Sequence, residues 1–393
     1  MEIKAAGKTI KINKMKPVVL ILGGGTGGLM TAHFLHKKLG SNCRIIVFEK
    51  EEKNVFAPSL LWLMVGKRKT KDIYRSTKRV AKKGIELVLG NIGKINPESK
   101  SIQVDGKEYK GDYLVVSLGA DQKEVNTLSG KGFDFFTLNG ADHFYNALQQ
   151  FNGGKIAVLI SSLPFKCPAA PYEAAMLIEA AIRKRGIRDK TEIAVYTPES
   201  MPMAVAGKEL ADAVKQMLER KGIKYFPDHQ FTESDSKTLT FTNGNSYSFD
   251  LLAYTPKHIC TEVIADTSLV GKSGWIEVNR NKMETDFSNV YAIGDITYIP
   301  LELGKPLPKA GVFAHYQAEV VANNIAEKIK GGTNMKNFDG SGQCFLELGD
   351  GKAGYAGGNF YGSPLPLVKM KKPGYWWHWT KVWFEKYWFY KYF

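Results

Sequence analysis

Cysteine is scarce, with four in 393 residues, which excludes a disulfide-dense secreted scaffold. No run of about 18 or more apolar residues occurs, so a bilayer-spanning helix and a polytopic membrane protein are excluded. Glycine and proline, 39 and 16 in number, are scattered and not periodic, so a collagen-like chain is excluded. The 44% hydrophobic share is ordinary and excludes general disorder. Acidic residues are the minority: 39 against 54 basic ones leave a net charge of +15. That balance points to an anionic partner surface, not to any fold. Zinc-finger spacing, a helix-turn-helix cue and an RNP-type aromatic signature are all missing, so nucleic acid is not expected. The segment Met1 to Lys16 is basic and polar, without the apolar stretch of a signal peptide. The chain is therefore expected on the cytoplasmic side, where thiols are normally reduced.

What is present alternates between strand and helix. Val18–Leu22 is a short apolar run of the kind a buried parallel strand needs, followed by a glycine turn and a helical stretch from Leu29 to Leu39. Arg44–Glu49 is the next strand and completes a βαβ unit. Tyr113–Ser117 reads as a further strand. A second alternation starts near Gly154: strand to Ile160, helix from Tyr172 to Arg185, strand Glu192–Tyr196, helix from Gly207 to Arg220. The chain returns to the first unit around Asn289, and a helix runs from Phe313 to Lys328. A glycine-rich stretch from Gly331 to Gly362 and an aromatic segment close the chain. The expected fold class is α/β, with two Rossmann-like dinucleotide-binding domains and a C-terminal membrane-attachment region. Residues 1–120 form the first part of one domain, 121–275 the second domain, 276–330 the return to the first, and 331–393 the C-terminal region.

Within the first βαβ, Gly23, Gly25 and Gly28 fit G-x-G-x-x-G between a strand and a helix, with Thr26 and Gly27 inside the turn. The glycines let backbone approach a pyrophosphate, and the N–H groups at the helix start hold its charge. Glu49, 21 residues beyond Gly28, ends a strand where a carboxylate accepts from ribose hydroxyls. After Ile160 the second unit reads Ser161 to Glu173 with three prolines, at 164, 168 and 171, and no glycine. Proline and bulky side chains deny the close amide approach that a second pyrophosphate requires. Electrons are therefore not expected to come from a nicotinamide.

Cys167 stands just before a helix and beside Lys166. Both features favour thiolate, which is the nucleophile. Cys344 follows 177 residues later, and Cys43 and Cys260 read as small buried hydrophobes.

The short strand ending at Gly294 and Asp295 resembles the second FAD motif of flavoproteins with two dinucleotide-binding domains, where the aspartate bonds the ribityl chain. Gly119 sits where those enzymes carry an Ala-Thr-Gly segment. The stretch Pro164 to Glu173, with Pro308 to Ala314 and Cys344, resembles the sulfide:quinone oxidoreductases and the flavoprotein of flavocytochrome c sulfide dehydrogenase, over roughly residues 17 to 393. That resemblance implies FAD, sulfide, a membrane quinone and a sulfane-sulfur acceptor as reactants, and admits a homo-oligomer. It also implies that Cys167 and Cys344 are the redox pair, opened by hydrosulfide. Glu173 would be the proton acceptor, Lys309 the charge that stabilises reduced flavin, and Phe345 a contact of the quinone ring. Members with covalent FAD carry a third cysteine after the strand matching Tyr113–Ser117. Leu118 to Asn126 holds none, so non-covalent FAD is expected. The competing readings are a type II NADH:quinone dehydrogenase and the flavin subunit of a sulfide:cytochrome c reductase.

From Tyr375 to Phe393, 12 of 19 residues are aromatic. On a helix Trp376, Trp379, Trp383, Tyr387 and Tyr390 form one stripe widened by Trp377, Phe384 and Trp388, with His378, Lys381 and Glu385 on another face. Such a helix lies in the headgroup plane and does not cross the bilayer. From Lys67 to Lys83 nine basic residues face the single acid Asp72. Alone they read as a solvated helix face; beside the aromatic helix they become a patch for anionic lipid. A peripheral, monotopic placement follows.

Overall fold

Val18–Leu22 carries no polar side chain, and Val19 to Leu22 are fully buried, as a central strand with both faces covered requires. In the computed structural model, which describes residues 2–5, 8–11 and 16–393, it is the middle of a five-stranded parallel sheet. The order is Val290–Ala292, Tyr113–Val116, Val18–Leu22, Arg44–Glu49, Glu86–Leu89. Successive side chains go to opposite faces. Val19, Ile21, Val47 and Val115 pack on helix α1 (Thr26–Leu39) and its neighbour, while Leu20, Leu22, Ile46 and Leu114 meet Ile95, Ile102 and Val104 of an antiparallel layer. The reading of the N-terminal segment as basic and without a leader falls on side chains outside the described residues.

The second sheet is built in the same way. Phe133–Asp134, Leu251–Thr255, Gly154–Ile160, Thr191–Tyr196 and Lys224–Phe226 lie side by side and parallel. Ile156, Val158, Ile193 and Val195 face helix α2 (Ala170–Lys184), and Ala157, Leu159 and Tyr196 face an antiparallel layer that includes Phe231 and Phe241. Helix α3 (Gly311–Lys330) then returns the chain to the first sheet, where it packs along α1.

The glycine-rich stretch contains two strands. Ser341–Gly349 pairs antiparallel with Lys352–Asn359, and that strand with Leu367–Gly374. Glycine here permits contact: a Cβ on Gly342 would strike the Phe313 ring, and one on Gly358 the Leu367 carbonyl. The sheet leads directly into helix α4 (Tyr375–Tyr392).

Helix α4 buries charged residues together with three of its aromatics and exposes most of its tryptophans. Lys381, Glu385, Trp388, Phe389 and Tyr392 are buried, whereas Trp376, Trp379, Trp383 and Tyr390 are 74%, 65%, 63% and 83% exposed. Trp388, read as part of the outer stripe, sits instead among Phe56, Phe384 and Tyr392. Among the described residues no helix is long and apolar enough to cross a membrane.

Candidate functional site

At the carboxyl end of the first sheet the glycine turn opens into a cavity of about 440 Å³. Gly23, Gly25, Thr26, Gly27, Glu49, Gly119, Gly294 and Asp295 all line it. Gly23 is left-handed, with φ +94°, and a Cβ on Gly28 would overlap the Gly23 carbonyl, so Gly28 shapes the turn from behind. A Cβ on Gly25 would project into open space. Glu49 accepts the Gly24 N–H on Oε2 at 2.7 Å and those of Lys50 and Glu51 on Oε1. Gly294 donates its N–H to Gln317 Oε1 at 2.7 Å, which holds Asp295 at the sheet end. Asp295 Oδ1 is buried without a hydrogen-bond partner among the described residues. Burial pushes its carboxyl above the usual range, against the pull of Lys166 and Lys309. An orphaned buried acceptor, a glycine-rich turn and the Glu49 carboxylate on one cavity fit FAD.

Lys309 links this cavity to a second. Its ammonium is buried, donating to the carbonyls of Asp295 at 2.7 Å and Thr297 at 3.1 Å, and lies 3.4 Å from the Trp275 ring centroid. Burial lowers its pKa to about 8, with Asp295 and Cys260 opposing. The Lys309 carbonyl accepts the Cys167 N–H at 2.6 Å. The loop with the lysine and the loop with the cysteine are thus one unit.

Cys167 and Cys344 both line the second cavity, of about 600 Å³, with Pro164, Phe165, Trp275, Lys309 and Phe313. Both are free thiols. Cys167 has φ +54°, a conformation that non-glycine residues hold mainly where the surroundings impose it. Its carbonyl accepts the Ala170 N–H at the start of α2. At Cys167 burial acts against the thiolate that a helix start and Lys166 would favour. Burial raises both thiols: Cys344 to about 12, and Cys167 further, with the nearby Cys344 and Glu173 adding to the rise. Lys166 does not offset it; the cation that lowers both is Lys381 of α4.

Glu173, in the first turn of α2, is buried and accepts the Glu347 N–H at 3.0 Å and the Lys381 ammonium at 2.5 Å on Oε1. Burial pushes its carboxyl up against the pull of Lys381. For Lys381 burial acts downward, but Glu173, Glu347 and Cys344 outweigh it and hold the ammonium charged. The sequence reading missed Lys381 and Glu347. The available signal was a lysine on the face opposite the tryptophans of an otherwise aromatic helix.

Phe345 points away from Cys344 across the strand and lies outside both cavity linings. It meets Tyr355 edge-on at 5.4 Å, and Tyr355 stacks on Trp377 at 4.6 Å. The basic segment 67–83 is not an α-helix but short 3-10 turns around the strand Tyr74–Ser76. Arg68 binds the buried Glu385 carboxylate at 2.9 Å, Ser59 donates to it at 2.6 Å, and the Arg75 guanidinium lies 4.0 Å from the Phe389 ring centroid. Lys69, Lys71, Lys78 and Arg79 remain exposed.

At the second sheet, Ser161 bonds back to the Thr255 carbonyl. Pro164, Phe165 and Pro168 occupy the turn where a phosphate cradle would lie, and form cavity wall instead.

The family model described as pyridine nucleotide-disulphide oxidoreductase matches residues 17–318. The mitochondrial sulfide:quinone oxidoreductase of Mus musculus is 25% identical over 88% of this chain and 79% of its own length. The sulfide-quinone reductase of Aquifex aeolicus is 26% identical over 95% of this chain and 90% of its own. The X-ray structure of the Aquifex aeolicus sulfide:quinone oxidoreductase superposes with a TM-score of 0.86 at 24% identity, covering 96% of this chain and 91% of that one.

Proposed function

This chain belongs to the pyridine nucleotide-disulphide oxidoreductase family, and from that premise we propose that it is a flavin-dependent sulfide:quinone oxidoreductase. One observation carries the reading: two cysteines 177 residues apart share a cavity wall with Lys309, whose ammonium reaches the Asp295 carbonyl at the edge of the dinucleotide cavity. Gly23, Gly25 and Gly27 would hold the pyrophosphate of FAD, Glu49 and Asp295 its ribose and ribityl hydroxyls, without a covalent link. FAD, when bound, supplies the two-electron acceptor between sulfur and quinone.

The chain's own residues perform the sulfur chemistry. Hydrosulfide attacks the Cys167–Cys344 disulfide: that bond breaks, a new S–S bond forms as a persulfide on one cysteine, and the other leaves as thiolate. Glu173 takes the proton. A sulfane-sulfur acceptor then takes the outer sulfur as a neutral atom, leaving a second thiolate, and the two thiolates re-form their disulfide by giving up an electron pair to the two-electron acceptor that FAD would supply. Lys309 holds positive charge where reduced flavin would be negative. The outward tryptophans of α4 and the exposed cations of segment 67–83 set the protein on anionic lipid at the cytoplasmic face. Phe345, Tyr355 and Trp377 offer an aromatic surface for the quinone ring.

Anaerobic sulfide is expected to bleach the flavin of the purified protein, and a quinone analogue to restore it. Cys167→Ser and Cys344→Ser should each slow bleaching by more than about a hundredfold while retaining the flavin. Bleaching by NADH and not by sulfide would replace this reading with a type II NADH dehydrogenase. Reoxidation by cytochrome c and not by quinone would point to the third reading.

A further inference from the structure

Three polar side chains on consecutive turns of α4 face inward, and each meets a buried partner. His378 Nδ1 bonds to Glu347 at 2.9 Å, Lys381 to Glu173 at 2.5 Å, and Glu385 to Arg68 and Ser59. The middle contact is tied to helix α2 and to the strand of Cys344, Glu173 lying six residues after Cys167. Glu347 is three residues from Cys344 on one strand, and its N–H is bonded to Glu173. The remaining charged neighbours are accounted for: Lys67 faces Glu347, Arg68 is held by Glu385, and the Trp62 ring centroid lies 5.1 Å from the Lys381 ammonium.

We propose that Lys381 is a positioning residue of the sulfur site, a cation delivered by the lipid-facing helix to hold the negative charge that appears on the cysteine pair when its bond opens. The proposal rests on the reading of Cys167 and Cys344 as the redox pair. With the pair closed, Glu173 and Lys381 balance each other. Opening adds one negative charge inside an apolar cavity, where an uncompensated ion costs several kcal/mol. Glu173 alone would worsen that charge, and Lys309 is turned toward the carbonyls of Asp295 and Thr297. Lys381 is the buried cation that acts on both thiols, a role consistent with its lowering of each. The sulfur site is therefore complete only when α4 is docked.

The test is the pH dependence of iodoacetamide alkylation at Cys167 and Cys344 in the reduced flavin-containing protein, followed by mass spectrometry. Lys381→Met should move the alkylation midpoint upward by about one pH unit or more, a roughly tenfold slower reaction at fixed pH below the midpoint. Lys381→Arg should restore most of it. Lys386→Met, at an exposed position of the same helix, should leave the profile unchanged. A Lys381→Met profile superimposed on the parent, with unchanged thermal unfolding, overturns the proposal, as does an equal shift in the Met and Arg variants. If the Met variant does not fold, the double variant Glu173→Gln with Lys381→Met decides: its midpoint should lie above that of Glu173→Gln alone, and equal midpoints overturn the proposal. Sulfide bleaching is recorded in parallel. Its absence in the parent protein defeats the proposed activity, whereas intact bleaching with an unmoved alkylation profile defeats only the role of Lys381.

Discussion

Asp295 carries a buried carboxylate oxygen without a partner among the described residues, and a group of that kind is costly unless something bonds to it. Asp295→Ala should therefore lower flavin retention through purification by roughly tenfold or more, read from the ratio of flavin to protein absorbance. His258 shows the reverse economy. It is buried beside Phe136, and burial, with Lys166 and Lys309, holds its pKa down to about 3 from 6.5. Its folded value lies below its unfolded one, so the unfolded chain binds the proton first as pH falls. Stability is intact above pH 6.5 and is lost from there toward pH 3, by at most about 1.4 kcal/mol per pH unit. Thermal unfolding across that window should fall less steeply in His258→Phe than in the parent.

Helix α4 works as an element because its polar residues are its anchors. Ion pairs on an exposed helix contribute little, but Glu385 is fully buried, and removing it leaves Arg68 and Ser59 facing a void. Glu385→Ala should cost about 3 kcal/mol, near the lower end for a broken buried pair because Arg68 is partly exposed, visible as a lowered midpoint in urea unfolding. The outer face makes a separate prediction. Replacing Trp376, Trp379 and Trp383 together by Gln should leave sulfide bleaching in solution unchanged. Sedimentation with vesicles rich in phosphatidylserine should nonetheless drop by at least about tenfold. Binding of the parent should also weaken as salt rises, because part of it comes from the exposed lysines near Lys69 and Lys78.

At the scale of the whole molecule, two sheets of the same construction present different chemistry at their carboxyl ends. The first ends in a polar, glycine-lined cavity and the second in an apolar one holding two thiols. Ligands of such sheets bind in this crevice, so the residues there decide which electron carrier is accepted. A proline-filled turn cannot cradle a second pyrophosphate. NADH at millimolar concentration should therefore leave the flavin oxidised while sulfide at micromolar concentration reduces it.

Much of this was legible in the chain. Unbroken apolar runs mark Val18–Leu22 and Ile156–Ile160 as buried, because a strand covered on both faces needs an apolar residue at every position. The glycine turn, Glu49 and Asp295 were readable because backbone approach to a phosphate restricts residue type locally. The strands after Gly340 were not, since glycines that serve close contact look like loop residues until the Phe313 ring against them is known. Sequence alone determined local conformation and the presence of each reactive group. Only the tertiary structure decided that the two thiols share one apolar cavity wall, and that the Lys381–Glu173 pair sits beside the strand of Cys344. Desolvation and pairing depend on what chain segments far apart in sequence bring to one place.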